Sequence, residues 1–176
     1  IATLRQRGIA SLLVSGDAPA PVAHIAAKLG LDGAFDSVLP AGKVEKVEAL
    51  RAQTSGLVAM VGDGVNDAPA LAAADVGIAM GSGSDVARET ASITLMRSDP
   101  RLVADAIDIS AATWRTIQQN LFWAFVFNII GIPLAALGYL SPELAGAAMA
   151  LSSITVLSNS LLLKRWQPRA AHGPAS

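Results

Sequence analysis

Met60-Val61-Gly62-Asp63-Gly64-Val65-Asn66-Asp67-Ala68-Pro69-Ala70-Leu71 is the stretch whose reading decides the fold. The apolar run from Gly56 to Val61 leads into it, a segment rich in glycine and acid follows, and helix-forming residues begin at Ala68. This order predicts a buried strand, a tight loop and a helix start. Asp63 and Asp67 then lie beyond the end of a parallel strand, where open α/β sheets place their chemistry. Gly62 and Gly64 allow a sharp turn and the close approach of a ligand. Two carboxylates with the Asn66 amide are hard oxygen donors of the kind magnesium prefers when it also holds a phosphate. Taken alone, the same residues could form only a turn, with Asp67 as an N-cap before Ala68 and Pro69.

The flanking segments repeat the strand-then-helix order. Upstream, a short helix over 1–7 is closed by Gly8, and Ile9 to Val14 is an apolar run of strand length ending in Ser15-Gly16-Asp17. Ala20 to Leu29 has a helical pattern with Gly30 as C-cap. Phe35 to Leu39 reads as another short strand, followed by Pro40-Ala41-Gly42-Lys43 and an amphipathic helix from Val44 to Gln53. Downstream come a short helix over Leu71 to Ala74, a strand over Val76 to Met80, a turn over Gly81 to Asp85, a helix over Val86 to Thr90 and a strand over Ser92 to Met96. This alternation implies parallel βαβ units, a Rossmann-type α/β sheet. Gly81-Ser82-Gly83 lacks the length and the Lys-Ser/Thr ending of a Walker loop. His24 stands alone on a short helix and is assigned no role.

Composition divides the chain. Its 176 residues carry a net charge of −1 and no cysteine, which argues against nucleic acid as a partner and excludes a thiolate metal site within the chain. Mean hydropathy is +0.48, but unevenly spread. Residues 1–117 mix charged and apolar segments, whereas 120–163 hold one charged residue, Glu143. Asp99-Pro100 opens a long helix, polar over 99–119 and apolar over 120–140. The latter, and 144–163 after a short link, each have about the 20 residues that span a bilayer. Pro133 should kink the first span or mark a break in it. Arg97, Arg101 and Arg115 precede the pair, Lys164, Arg165 and Arg169 follow it, and the link has no basic residue. The positive-inside rule then places both ends in the cytoplasm. Asn128, Ser152, Ser153, Thr155, Ser158 and Asn159 are the polar residues of the spans, and such residues commonly join helices.

The central stretch resembles the hinge motif of P-type ATPases, cation pumps whose phosphorylation domain has the haloacid dehalogenase-like fold. Ser15-Gly16-Asp17 stands where that family has Thr-Gly-Asp, and Leu39-Pro40-Ala41-Gly42-Lys43 resembles its Leu-Pro-x-x-Lys. Phe127-Asn128 followed by Ile-Pro resembles the Tyr-Asn of the copper(I)-transporting heavy-metal branch. Met149-Ala150-Leu151-Ser152-Ser153 resembles that branch's Met-x-x-Ser-Ser. The chain departs from the family at Ala18 (commonly Asn), Gly42 (commonly Asp) and Phe127 (Tyr). The resemblance implies that 1–98 is the C-terminal part of a phosphorylation domain, 99–119 a cytoplasmic stalk, and the two spans the last of a pump. The tail, 166–176, is expected to be disordered.

The same resemblance implies roles. Asp63 and Asp67 would hold magnesium against an aspartyl phosphate, with Gly62, Gly64 and Asn66 shaping that site. Lys43 would offset the phosphate's charge, Ser15 would hydrogen-bond it, and Gly16 and Asp17 would support it. Asn128, Met149 and Ser153 would bind copper(I) or silver in transit. Copper(I) favours soft thioether donors, and Ser153 shares the helix face of Met149. The phosphorylated Asp of an Asp-Lys-Thr-Gly-Thr motif is not in this sequence, and Ile1 reads as mid-helix without an initiator Met. The chain is therefore expected to be a C-terminal portion, inactive alone, of an ATP-driven pump in the plasma (inner) membrane. Its partners would be the lipid bilayer, the rest of the pump and a copper chaperone. The alternatives are a zinc or cadmium pump and a membrane-anchored phosphatase of the dehalogenase superfamily.

Overall fold

The computed structural model describes Ile1 to Gln167, so most of the tail expected to be disordered lies outside the described residues. Two compact units are present, Ile1–Ala104 and Asp105–Ser176.

The first unit alternates short strands and helices. The helices are α1 (Ala2–Arg5), α2 (Pro19–Leu29), α3 (Pro40–Gln53), α4 (Ala68–Ala73) and α5 (Asp85–Thr90). The strands are β1 (Leu12–Val14), β2 (Gly33–Phe35), β3 (Ala59–Gly62), β4 (Val76–Ala79) and β5 (Ile93–Thr94). Every strand pairing is parallel, as the alternation requires. Proline occupies the first turn of α2, α3 and α4, where its missing N–H costs nothing and its fixed φ suits the helix. Gly30 ends α2 in the left-handed region, φ 65°.

Three expectations are corrected. The second strand is Gly33–Phe35, not Phe35 to Leu39. Beyond Phe35 the chain breaks away at Ser37, whose φ of 53° is incompatible with a continued strand. Helix α3 begins at Pro40 rather than Val44, because Pro40 sets helical φ at once; Gly42 thus lies inside the helix. The strands also form two sheets, β1-β2 and β3-β4-β5, rather than one.

The core lies around β4. Leu71 of α4 and Ile78 of β4 are its largest fully buried side chains, with Val47, Ala70, Ala79, Ala87 and Leu95 beside them. Strand β3 is half open: Val61 is exposed, as is Leu12 on β1. Parallel sheets ordinarily bury both faces, so β1 and β3 present apolar surface that a complete sheet would cover.

The second unit is a helical hairpin. Helix α6 (Leu102–Ala136) starts in the first unit and runs 35 residues, about 50 Å, passing Pro133 and ending three residues beyond it. Helix α7 (Pro142–Leu162) follows a turn in which Gly138 has φ 77° and Ser141 caps the new helix through the Leu144 N–H. Both are long and apolar enough to cross a bilayer. They are joined by amides: Asn159 Nδ2 donates to Asn120 Oδ1 at 2.8 Å, and Asn120 Nδ2 donates to Ser160 Oγ at 2.8 Å.

Candidate phosphate-handling loop and intramembrane metal cleft

Strand β3 ends at Gly62, and the chain turns through Asp63-Gly64 into one 3₁₀ turn, Val65–Asp67, before α4. Asp67 folds its carboxylate back over this turn. Its Oδ2 accepts the Gly64 N–H at 3.2 Å and the Asp63 N–H at 3.4 Å, and its Oδ1 accepts Lys43 Nζ at 2.6 Å. The side chain stands at the N-cap position of α4 but caps nothing there. A Cβ at Gly62 would lie 2.7 Å from the Asp67 Cβ, so only glycine lets the strand end pass beside this carboxylate. Burial by itself would raise the Asp67 pKa. The Lys43 hydrogen bond, the Gly64 N–H, the Lys43 charge and the Asp63 N–H together outweigh it and hold the carboxyl below its ordinary value.

Asp63 differs. Its side chain is exposed, and among the described residues its carboxylate has no hydrogen-bond or ion-pair partner. Its backbone, however, is clamped. The Met80 N–H donates to Gly62 O at 3.0 Å and the Ser84 N–H to Asp63 O at 2.9 Å. A Cβ at Gly83 would meet Met80 O at 2.8 Å and Asp63 O at 3.2 Å. The sequence reading missed this clamp by treating Gly81 to Asp85 as a plain turn; the paired glycines just after a strand were the available signal.

The donor set fits magnesium unequally. Asp63 offers a free carboxylate, and the Asn66 amide is exposed nearby in sequence. Both Asp67 oxygens are engaged by N–H donors, whereas the Asp63 carboxylate is open.

Ser15, Gly16 and Asp17 lie at the exit of β1. Ser15 Oγ donates to Asp17 Oδ2 at 2.7 Å, so its proton is not free for a phosphoryl oxygen in this arrangement. The Ser37 N–H donates to Asp17 O and the Val38 N–H to Ser15 O, which ties the exits of β1 and β2 together. Val38 links them to α3: a Cβ on Gly16 would lie 3.4 Å from Val38 O, and one on Gly42 3.1 Å from Val38 Cγ1. Among the described residues Ser15 and Asp17 make no hydrogen bond to Lys43, Asp63 or Asp67.

In the hairpin, Asn128, Met149, Ser152 and Ser153 line one cleft of about 360 Å³ together with Phe127. Asn128 Nδ2 donates to Ala124 O at 2.8 Å, and Ser153 Oγ to Met149 O at 3.1 Å. One Asn128 N–H and the Ser153 hydroxyl are thereby used within their own helices, so the Asn128 and Ser153 oxygen lone pairs and the Met149 thioether are donor atoms the cleft offers. Among the described residues no three His, Cys, Asp or Glu side chains cluster. Asn159 lies outside this cleft and joins α6 to α7, as the polar residues of the spans commonly do.

A model of haloacid dehalogenase-like hydrolases matches residues 1–75. The probable copper-importing P-type ATPase A of Enterococcus hirae is 53% identical over 167 residues, which cover 94% of this chain and 23% of that protein. A copper-exporting P-type ATPase of Mycobacterium tuberculosis is 48% identical over 166 residues, covering 94% and 22%. A crystal structure of a zinc-transporting PIB-type ATPase in its E2.Pi state superposes with a TM-score of 0.83 at 39% identity, over 93% of this chain and 26% of that one. The chain thus spans about a quarter of the length of these relatives. A dehalogenase-like loop, a membrane hairpin and a likeness that runs through both identify it as a membrane protein belonging to the PIB-type, heavy-metal P-type ATPases.

Proposed function

We propose that this chain serves an ATP-driven copper(I) or silver efflux pump, supplying part of the phosphorylation domain and part of the transport path. The observation that carries the metal assignment is the single cleft holding Met149 with Asn128 and Ser153. A thioether with neutral oxygens suits a soft monovalent ion. Neither helix places a carboxylate or a lysine at that level, as a hard or borderline dication would favour.

In the phosphorylation domain Asp63 is the direct magnesium ligand, with Asn66 beside it. Magnesium, when bound, would neutralise charge on a phosphoryl oxygen. Asp67 holds the loop by accepting the Gly64 and Asp63 N–H groups, and it stores the Lys43 ammonium within reach. Release of Lys43 toward a phosphoryl group would put a compact positive charge where negative charge develops. Ser15 and Asp17 buttress the neighbouring strand exit through their mutual hydrogen bond. The nucleophilic Asp and the nucleotide site belong to parts of the pump outside this sequence. A strand contributed by those parts would pair at the open edges of β1 and β3. The soluble unit and both hairpin ends face the cytoplasm, in a plasma or inner membrane, and a copper chaperone delivers the ion. Alone, the chain hydrolyses no ATP; activity of the purified chain would sink that statement.

The likeness to a zinc-transporting structure favours zinc as a second reading. Metal-stimulated ATPase activity of the full-length pump separates the two. Copper(I) and silver should stimulate, and Met149→Leu should abolish the response while sparing expression. Stimulation by zinc alone would overturn the copper assignment.

A further inference from the structure

At the end of the hairpin opposite the α6–α7 turn, the two helices enclose a second cleft, of about 280 Å³. Arg115 and Thr116 of α6 line it, and so do Leu162, Leu163, Arg165 and Trp166 from the end of α7. Asn159 lines it as well, so the cleft abuts the amide cluster of Asn120, Asn159 and Ser160 that joins the two helices. Neither Arg115 nor Arg165 has an ion pair or hydrogen bond among the described residues, although both are exposed. Thr116 has spent its proton on Ala112 O at 3.0 Å and the Asn159 amide donates to Asn120 and Gln119, so the two guanidiniums are the cleft's uncommitted donors. Trp166 is half-buried against this site rather than part of a free tail.

Two unpaired guanidiniums, a half-buried indole and two leucines at a helix end match one kind of ligand. Guanidinium forks recognise phosphate oxygens bidentately. Indoles settle at the headgroup level of a bilayer, and leucines accompany acyl chain. We propose that this cleft binds the phosphodiester headgroup of an anionic glycerophospholipid in the leaflet where α6 enters the membrane. Basic pockets between membrane helices bind such headgroups, and each basic residue near an anionic leaflet contributes measurably. The site would fasten the two helices at the point where the polar part of α6 meets the bilayer. The proposal rests on the hairpin spanning a membrane, not on which metal is carried.

The test is native mass spectrometry of the full-length protein released from detergent carrying equal phosphatidylglycerol and phosphatidylcholine. One tightly held phosphatidylglycerol per chain is expected, enriched on the order of tenfold over phosphatidylcholine. Arg115→Gln with Arg165→Gln should abolish the enrichment. Arg115→Lys with Arg165→Lys should keep part of it, and Lys164→Gln, which alters a basic neighbour outside the cleft, should leave it intact. Equal enrichment in the double glutamine variant would overturn the proposal. A competition on the wild-type protein needs no variant: millimolar glycerol phosphate or inorganic phosphate should fail to displace the lipid. Displacement by either would assign the cleft to a free anion and overturn the lipid. Purification without detergent or any bound lipid would instead remove the membrane reading beneath it.

Discussion

Lys43 on the first turn of α3 and Asp67 ahead of α4 are joined Nζ to Oδ1 at 2.6 Å, across 24 residues of sequence. Both side chains are largely withdrawn from water, so neither is easily solvated if the other is removed. Lys43→Met should cost about 2 to 3 kcal/mol of stability. Asp67→Asn should cost a similar amount, because it strands the ammonium and weakens the hold on the Gly64 N–H. The double variant should be less than additive, since both charges leave together. Urea unfolding of the four proteins measures the coupling, and strict additivity would mean that the pair contributes nothing.

The same pair sets a pH response. Asp67 has a folded-state pKa below its ordinary value of 3.8. A carboxyl depressed on folding contributes stability that is complete above the unfolded pKa and is lost as pH falls through the folded one. Stability of the first unit should therefore decline below about pH 4. Asp67→Asn should flatten that decline. An unchanged acid limb in the variant would show that other carboxylates govern it.

Asp63 should behave in the opposite manner to its neighbour. Its carboxylate is exposed and makes no hydrogen bond or ion pair among the described residues, so Asp63→Asn should alter stability by no more than about 0.5 kcal/mol. Phosphoenzyme turnover in the full-length pump should nevertheless fall by roughly 100-fold or more, the scale lost with one preorganised charge-stabilising group. The magnesium concentration for half-maximal turnover should rise with it. A stability loss as large as that of Asp67→Asn would place Asp63 in the scaffold instead.

Much of this was legible in sequence for identifiable reasons. Apolar runs capped by glycine announced β3 and β4, and Gly30 marked the end of α2 through its left-handed backbone, whereas the start of α3 at Pro40 was missed. The length of the apolar segments gave the hairpin, and helical spacing put Met149 and Ser153 on one face. What stayed hidden depended on contacts distant in sequence. Nothing local to Asp67 says that Lys43 will reach it, or that Ser84 will clamp Asp63. Register in the second strand was missed because Phe35 to Leu39 is apolar enough for a strand, while Ser37 takes a left-handed φ that no pattern displays.

The clamp on Asp63 makes its own prediction. A methyl at Gly83 would come within 2.8 Å of Met80 O and 3.2 Å of Asp63 O, and both neighbours are backbone. Gly83→Ala should therefore displace the loop that carries Asp63, lowering turnover about 10- to 100-fold by misplacement alone. Gly62→Ala should be worse, because its Cβ would strike Asp67 at 2.7 Å and break the Lys43 pair as well. Turnover at saturating magnesium distinguishes these from Asp63→Asn: added metal should not rescue either glycine variant.

The hairpin crosslink supplies the last test. Asn159 donates to Asn120 Oδ1 at 2.8 Å and to Gln119 Oε1 at 3.3 Å, while Asn120 donates to Ser160. Interhelical hydrogen bonds within bilayers contribute about 0.6 kcal/mol on average and up to about 1.7. Asn159→Ala should thus destabilise the hairpin within that range, leaving the Asn120 carbonyl without its donor. Replacing Asn120 and Asn159 together by leucine should cost less than the sum of the single changes, because no polar group is then stranded. Met149 lies ten residues from Asn159 on α7, so copper(I) stimulation should survive Asn159→Ala. Loss of that response with the helices still paired would move Asn159 from joining the helices to binding the ion.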